Sequence, residues 1–177
     1  TGIELSRRVT RLRFGKDMTI DMALPPILEI PIPILFQRPD FGVFNEKVLI
    51  AMALAANVLG TMMFVNPEDC TGVLSSYAAN LIPCLSRATY GRYAGLIGKS
   101  RMVELAYETG VEETMAAVRA MKPDVILSVG VPLDEKAAGR AVDLTLADAD
   151  TLHFYADNHG NEQADHNPRF LKELIRE

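Results

Sequence analysis

The chain has 177 residues, of which 49% are hydrophobic and 23% charged, with 12 glycines and 10 prolines. That composition excludes a disordered, collagen-like or purely coiled-coil chain, and the length suffices to bury about 70% of the unfolded surface. With 18 basic and 23 acidic side chains the formal charge is −5, which argues against nucleic acid or an anionic membrane as partner.

Residues 1–22 carry Arg7, Arg8, Arg11, Arg13 and Lys16 and are predicted to form an N-terminal basic arm or short hairpin, with residues 23–177 as the main domain. Prolines 25, 26, 31 and 33 bar a helix and limit ladder pairing, so extended chain leads into a predicted strand over Ile32–Phe36. After a loop over 37–44, Asn45 caps a helix that runs to Leu59 and ends at Gly60. A second buried strand, Thr61–Val65, is followed by a turn over 66–69. The stretch Val48–Val65 is uncharged and approaches the length of a membrane span, but Asn57 and the Gly60-Thr61 pair divide it into a helix and a strand.

Residues 70–100 read as irregular, with a helix over Gly72–Leu81, and Ser100–Glu108 reads as weakly helical. A clearer helix spans Val111–Met121, closed by Lys122-Pro123. The strand Val125–Val129, a loop over 130–133 and a helix from Asp134 to about Leu146 follow. Thr151–Tyr155 is a strand, 157–167 a polar loop, and Pro168 starts a terminal helix. This alternation implies an α/β fold of parallel strands with crossover helices, (β/α)₈-barrel-like but partial, because four or five strands are fewer than eight.

In parallel architectures the site lies in the loops after the strands' C-terminal ends. Those loops bring forward Gln37, Arg38 and Asp40, then Asn66 and Glu68, then Asp157, Asn158, His159 and Glu162. His153, His159 and His166, near Asp157 and Asp165, could hold a divalent ion, since imidazole and carboxylate suit zinc, manganese or iron; the spacing is not HExxH, and His153 can equally be a hydrogen-bonded core residue. Tyr93 stands where a phosphate loop ending in Gly98-Lys99-Ser100 requires glycine, and neither GxSxG nor GxGxxG occurs. Cys70 and Cys84 form no CxxC pair and read as small buried thiols of a reducing, cytoplasmic compartment, with no apolar leader after Thr1.

Asp40-Phe41-Gly42-Val43-Phe44-Asn45, followed by the Ala-rich helix that ends in Leu59-Gly60-Thr61, resembles the FMN-binding barrel of glutamate synthase-like proteins, which has an S-F-G-A-L-S loop and a helix ending in Leu-Gly. Asn66-Pro67-Glu68-Asp69 stands where the family has N-T-G-E-G-G, and Tyr90-Gly91-Arg92-Tyr93-Ala94 where it has S-G-R-F-G. Leu127-Ser128-Val129-Gly130 is similar to its V-S-V-K strand, and 147–154 to a helix end and strand entered through an aspartate. The resemblance implies an FMN-dependent oxidoreductase domain or subunit acting on an amino acid or 2-imino acid in glutamate biosynthesis. Phe41, Gly42 and Val43 would line the flavin's face, Asn66 would lie near its ring, and Arg92 would belong to the cofactor site. Asp157 and His159 are the substrate-side candidates.

The family's strand lysine falls on Gly130, its G-E-G-G and Q-G-A-K-P-G segments and clustered cysteines have no counterpart, and its last strands, which hold the flavin phosphate, would follow Glu177. Two other readings therefore stand beside the first: a degenerate, non-catalytic scaffold or binding subunit, and a metal-assisted lyase or hydrolase using His153, His159 and Asp157. A partial barrel would leave apolar helix faces uncovered around Ile50, Leu54 and Val58, so a homo-oligomer or a second subunit completing the barrel is expected.

Overall fold

The computed structural model describes residues 2–9, 11–38, 45–164 and 167–174. Eight strands are described: β1 (Ile3–Ser6), β2 (Ile27–Ile30), β3 (Phe36–Gln37), β4 (Met63–Val65), β5 (Leu81–Leu85), β6 (Met102–Ala106), β7 (Ile126–Pro132) and β8 (Thr151–Tyr155). The helices are α1 (Glu46–Leu59), α2 (Pro67–Thr71), α3 (Ala94–Ile97), α4 (Val111–Met121), α5 (Ala137–Leu146) and α6 (Leu171–Leu174). The strands β3 to β8 form one parallel sheet in unbroken chain order. A doubly wound sheet reverses its order at a switch point, whereas a sheet that adds each strand on the same side curls into a barrel. This one is a half-barrel with helices outside, a partial α/β barrel.

Helix α1 forms where its ends are specified. Asn45 Oδ1 accepts the Val48 N–H at 3.1 Å. Gly60, at φ +69°, donates to the carbonyls of Ala56 and Asn57. Leu49, Ala53 and Ala56 share the buried face, and the two alanines let the helix lie close on the sheet. With α4 and α5 it covers the outer face of Met63, Val65, Leu81, Val103, Leu105, Leu127, Val129 and Val131. Alternate residues point inward. Met62, Phe64, Ile82, Met102 and Ile126 form a second apolar cluster with Leu28 and Ile30 of β2.

That second cluster plugs one end of the half-barrel. Its members stand at or near the first residues of their strands, and β2 pairs antiparallel with β1, Ile3 opposite Ile30. The burial of Leu28 and Ile30 contributes about 1.5–3 kcal/mol each. Arg7, just after β1, ties the hairpin down: its Nε donates to Asp150 Oδ1 at 3.0 Å, and its guanidinium reaches the carbonyls of Pro123 and Val125. Asp150 also accepts from Arg119 Nη2 at 3.0 Å and from the Leu127 N–H at 2.8 Å. The basic residue Arg7 is thus structural, and β1 is packed against the segment that follows residue 22.

Several predicted elements differ. The helix expected over Gly72–Leu81 is a 3₁₀ segment, Ser75–Asn80, that leads into β5. Pro83 conceals this strand, because it lacks a ladder donor. It is tolerated where pairing changes sides: the ladder to β4 ends at Val65–Pro83, and the ladder to β6 begins at Cys84–Glu104. Ser100–Glu108 is not a helix but holds β6, whose apolar run is interrupted by one charged residue, Glu104. The strand expected over Ile32–Phe36 shrinks to Phe36–Gln37, while Ile27–Ile30, expected as extended lead-in, is the ladder strand. Gly130–Pro132 belongs to β7 rather than to a loop, and the last helix begins at Leu171 rather than Pro168. Among the described residues no helix is long and apolar enough to cross a membrane.

Candidate functional site

The inner face holds one ionisable pair at mid-strand, above the plugging cluster. Glu104 on β6 is 8% exposed. Its Oε2 lies 2.7 Å from His153 Nδ1 on β8 and 3.4 Å from Ser128 Oγ on β7. Its Oε1 lies 3.7 Å from Cys84 Sγ on β5. Burial, together with the charge of Glu104, pushes the Cys84 thiol up, and burial pushes the Cys70 thiol up to about 12. Neither is a ready nucleophile, because only the thiolate attacks. Both are free thiols.

One face of the His153 ring is covered by Phe64 of β4, with centroids 4.6 Å apart and planes at 21°. Tyr155 stands 6.2 Å away, tilted. Gly130 makes room for this arrangement: a Cβ there would stand 3.2 Å from Glu104 Oε1 and 3.5 Å from Tyr155 Cε1. A cavity of about 330 Å³ lies beside the pair on the side of the plugging hairpin, where Leu5, Leu35 and Met102 line it together with Phe64, Thr151 and His153. Thr151 Oγ1 is buried there without a hydrogen-bond partner among the described residues.

The rim beyond the strands carries the other candidates. Asn66 opens α2, yet its side chain makes no capping bond and stands exposed. Two residues on, Glu68 Oε1 accepts from Tyr93 Oη at 2.8 Å, which holds the Glu68 carboxyl below its ordinary range and raises the Tyr93 phenol. Arg92 is exposed, with its guanidinium 5.6 Å from the Tyr93 ring centroid, and a Cβ on the preceding Gly91 would meet nothing within 4 Å. Arg38 pairs with Asp69 at 3.5 Å. The Glu68–Tyr93 bond links the segments that carry Asn66 and Arg92, both exposed.

Asp157 and His159 lie together in the loop after β8. Asp157 Oδ1 accepts the backbone N–H groups of Asn161 at 2.7 Å and His159 at 2.8 Å, and these bonds, that of Asn161 foremost, hold its carboxyl below the usual range. The Asp157 carboxylate thus shapes the loop, and the exposed group it presents is the His159 ring. Phe41, Gly42, Val43 and His166 lie outside the described residues. Among the described residues no group of three or more His, Cys, Asp or Glu side chains could hold a metal ion.

The structure joins His153 to Glu104 and Ser128, a grouping without a sequence motif because the three residues come from three strands. The available signal is the lone acid in Met102-Val103-Glu104-Leu105-Ala106: a charge flanked by apolar residues on a buried parallel strand must face a partner. Comparison with protein-family models, with curated proteins and with solved structures finds no match to this chain.

Proposed function

We propose that the chain forms the β3–β8 part of a glutamate synthase-like, FMN-dependent oxidoreductase barrel acting on an amino acid or its 2-imino acid. One observation carries this reading. The stretches that resemble the family at 66–69, 90–94, 127–130 and 147–154 fall on the β4, β5, β7 and β8 units of one parallel sheet, in order with only β6 passed over, and Asn66 and Arg92 both stand exposed beyond strand ends. Sites of parallel barrels collect on that rim.

Phe41, Gly42 and Val43 would lie against the flavin's face, Asn66 would hydrogen-bond its ring edge, and Arg92 would offset its negative charge. Bound flavin would supply the electrons for reduction of an imine. Asp157 shapes the loop that carries His159, which would stand on the substrate side. Two further strand–helix units bring six strands to eight, and we assign them to a second subunit or a second copy of the chain. Leu54 and Val58, 47% and 73% exposed on α1, support such pairing.

A second reading has its own observation: with Glu104 filling the space over Gly130, a cation is missing where the family places one, which favours a binding subunit without catalysis. An absorption spectrum of the purified protein separates the two from 300 to 500 nm. Bands near about 370 and 450 nm, released as FMN on denaturation, are expected for the oxidoreductase. A protein that stays colourless after incubation with FMN and removal of the unbound flavin sinks that reading. Light scattering at micromolar concentration tests the pairing, which a monodisperse monomer would contradict.

A further inference from the structure

We propose that Glu104 and His153 form the proton-handling pair at the floor of this site, with His153 Nε2 as the atom that meets the nitrogen of a small amino or imino acid. The inference rests on the reading that this chain acts on an amino or imino acid, but not on flavin. Glu104 Oε2, 2.7 Å from His153 Nδ1, selects the tautomer that carries hydrogen on Nδ1. Phe64 covers one face of the ring and fixes its plane. Nε2 has no hydrogen-bond partner among the described residues, and the ring lines the cavity beside Thr151, whose Oγ1 is buried and unpartnered. Thr151 Oγ1 is thus a buried polar atom without a partner, which is seldom seen, and the partly exposed His153 ring stands beside it.

The charge of the wall selects the ligand group. Among the described residues lining the cavity there is no lysine or arginine, and Glu104 stands directly behind His153. A ligand carboxylate would meet a carboxylate there, whereas a ligand amine or imine nitrogen meets a proton acceptor or donor. The ligand's nitrogen is therefore turned toward His153 and its carboxylate away from Glu104. In the forward sense the Nε2–H bond of the imidazolium breaks and an N–H bond forms on the imine nitrogen. The imidazole keeps its Nδ1–H on Glu104 and regains the Nε2 proton from solvent. His153 is the residue in contact with the ligand, and Glu104 is a positioning residue.

Nitrogen-detected NMR of the His153 ring is the test. In alkaline solution the wild-type ring is expected as one tautomer, Nδ1–H, and Glu104→Gln is expected to yield a mixture. Titration with L-glutamate is expected to move the Nε2 resonance of wild type, and His153→Gln and Glu104→Gln each to weaken binding at least about fivefold. A ring that is mixed in wild type, or an Nε2 resonance unmoved by L-glutamate at about 10 mM, overturns the proposal. These readouts need no flavin, so a protein that binds no FMN yet passes them loses the oxidoreductase reading and keeps the pair.

Discussion

His153 and Phe64 stack with ring centroids 4.6 Å apart although four ladders separate their strands, β8 and β4. In a flat sheet those strands would lie about 19 Å apart, at about 4.8 Å per ladder. The stack is therefore a direct reading of how far the sheet has curled, and it places an ionisable ring inside a barrel-like interior. Phe64 also belongs to the cluster that plugs the interior from below. Phe64→Ala is expected to cost about 3 kcal/mol, against about 1 kcal/mol for Phe64→Leu, measured by urea unfolding. A loss below about 1 kcal/mol for the alanine variant would mean that the interior is open where the stack closes it.

Asp150 gathers two arginines from different parts of the chain. Its side chain is fully buried and accepts from Arg7, Arg119 and the Leu127 N–H. Asp150→Ala leaves these donors without their acceptor and is expected to destabilise by about 3 kcal/mol. Because Arg7 holds the β1–β2 hairpin, limited proteolysis should begin within residues 7–26 in the variant. Cleavage that starts elsewhere, with the hairpin intact, would contradict this anchoring role.

The two thiols are expected to be slow. Cys70, pushed up to about 12, and Cys84, raised by burial and by Glu104, carry almost no thiolate at neutral pH. Reaction with a disulfide reagent should run at least about a hundredfold slower than after denaturation. A thiol titrating rapidly in the folded protein would show that its surroundings are wetter than described.

Acid should open the loop after β8. Hydrogen bonds from the Asn161 and His159 N–H groups lower the Asp157 carboxyl, and Arg169 lowers that of Glu162. A carboxyl whose folded value is depressed adds stability at neutral pH, and that stability is lost as pH falls below the ordinary values of 3.8 and 4.5 through the lower folded ones. The protection of the Gly160 and Asn161 amides against hydrogen exchange, relative to the intrinsic rate at each pH, should fall in that window, and less so in Glu162→Gln. Protection that stays constant to pH 3 would contradict the shifts.

Much of this architecture is legible in the chain, and the losses have local causes. Asn45 and Gly60 announce both ends of α1, and Thr151–Tyr155 reads as a strand because its residues are β-branched and aromatic. Pro83 and Glu104 each break the apolar run that marks a buried strand, and so β5 and β6 go unread. The first is excused by a change of ladder partner and the second by a histidine from 49 residues away, and neither relation has a local signature. For the same reason the Glu104–His153 pair is invisible until the sheet curls, whereas the rim candidates Asn66, Asp157 and His159 follow from the rule that sites sit after strands, and Arg92 from the resemblance alone. Asp157 turns out to be engaged with its own loop, a detail carried by backbone geometry.

Titration of the purified protein with FMN, followed by flavin fluorescence, tests the flavin site most directly. The expected result is saturable quenching at micromolar FMN, weakened about tenfold, or about 1.4 kcal/mol, by Asn66→Ala and by Arg92→Ala with the circular dichroism of the fold unchanged. Fluorescence that stays that of free FMN up to about 1 mM protein, or quenching indifferent to both substitutions, would contradict a flavin site on this rim.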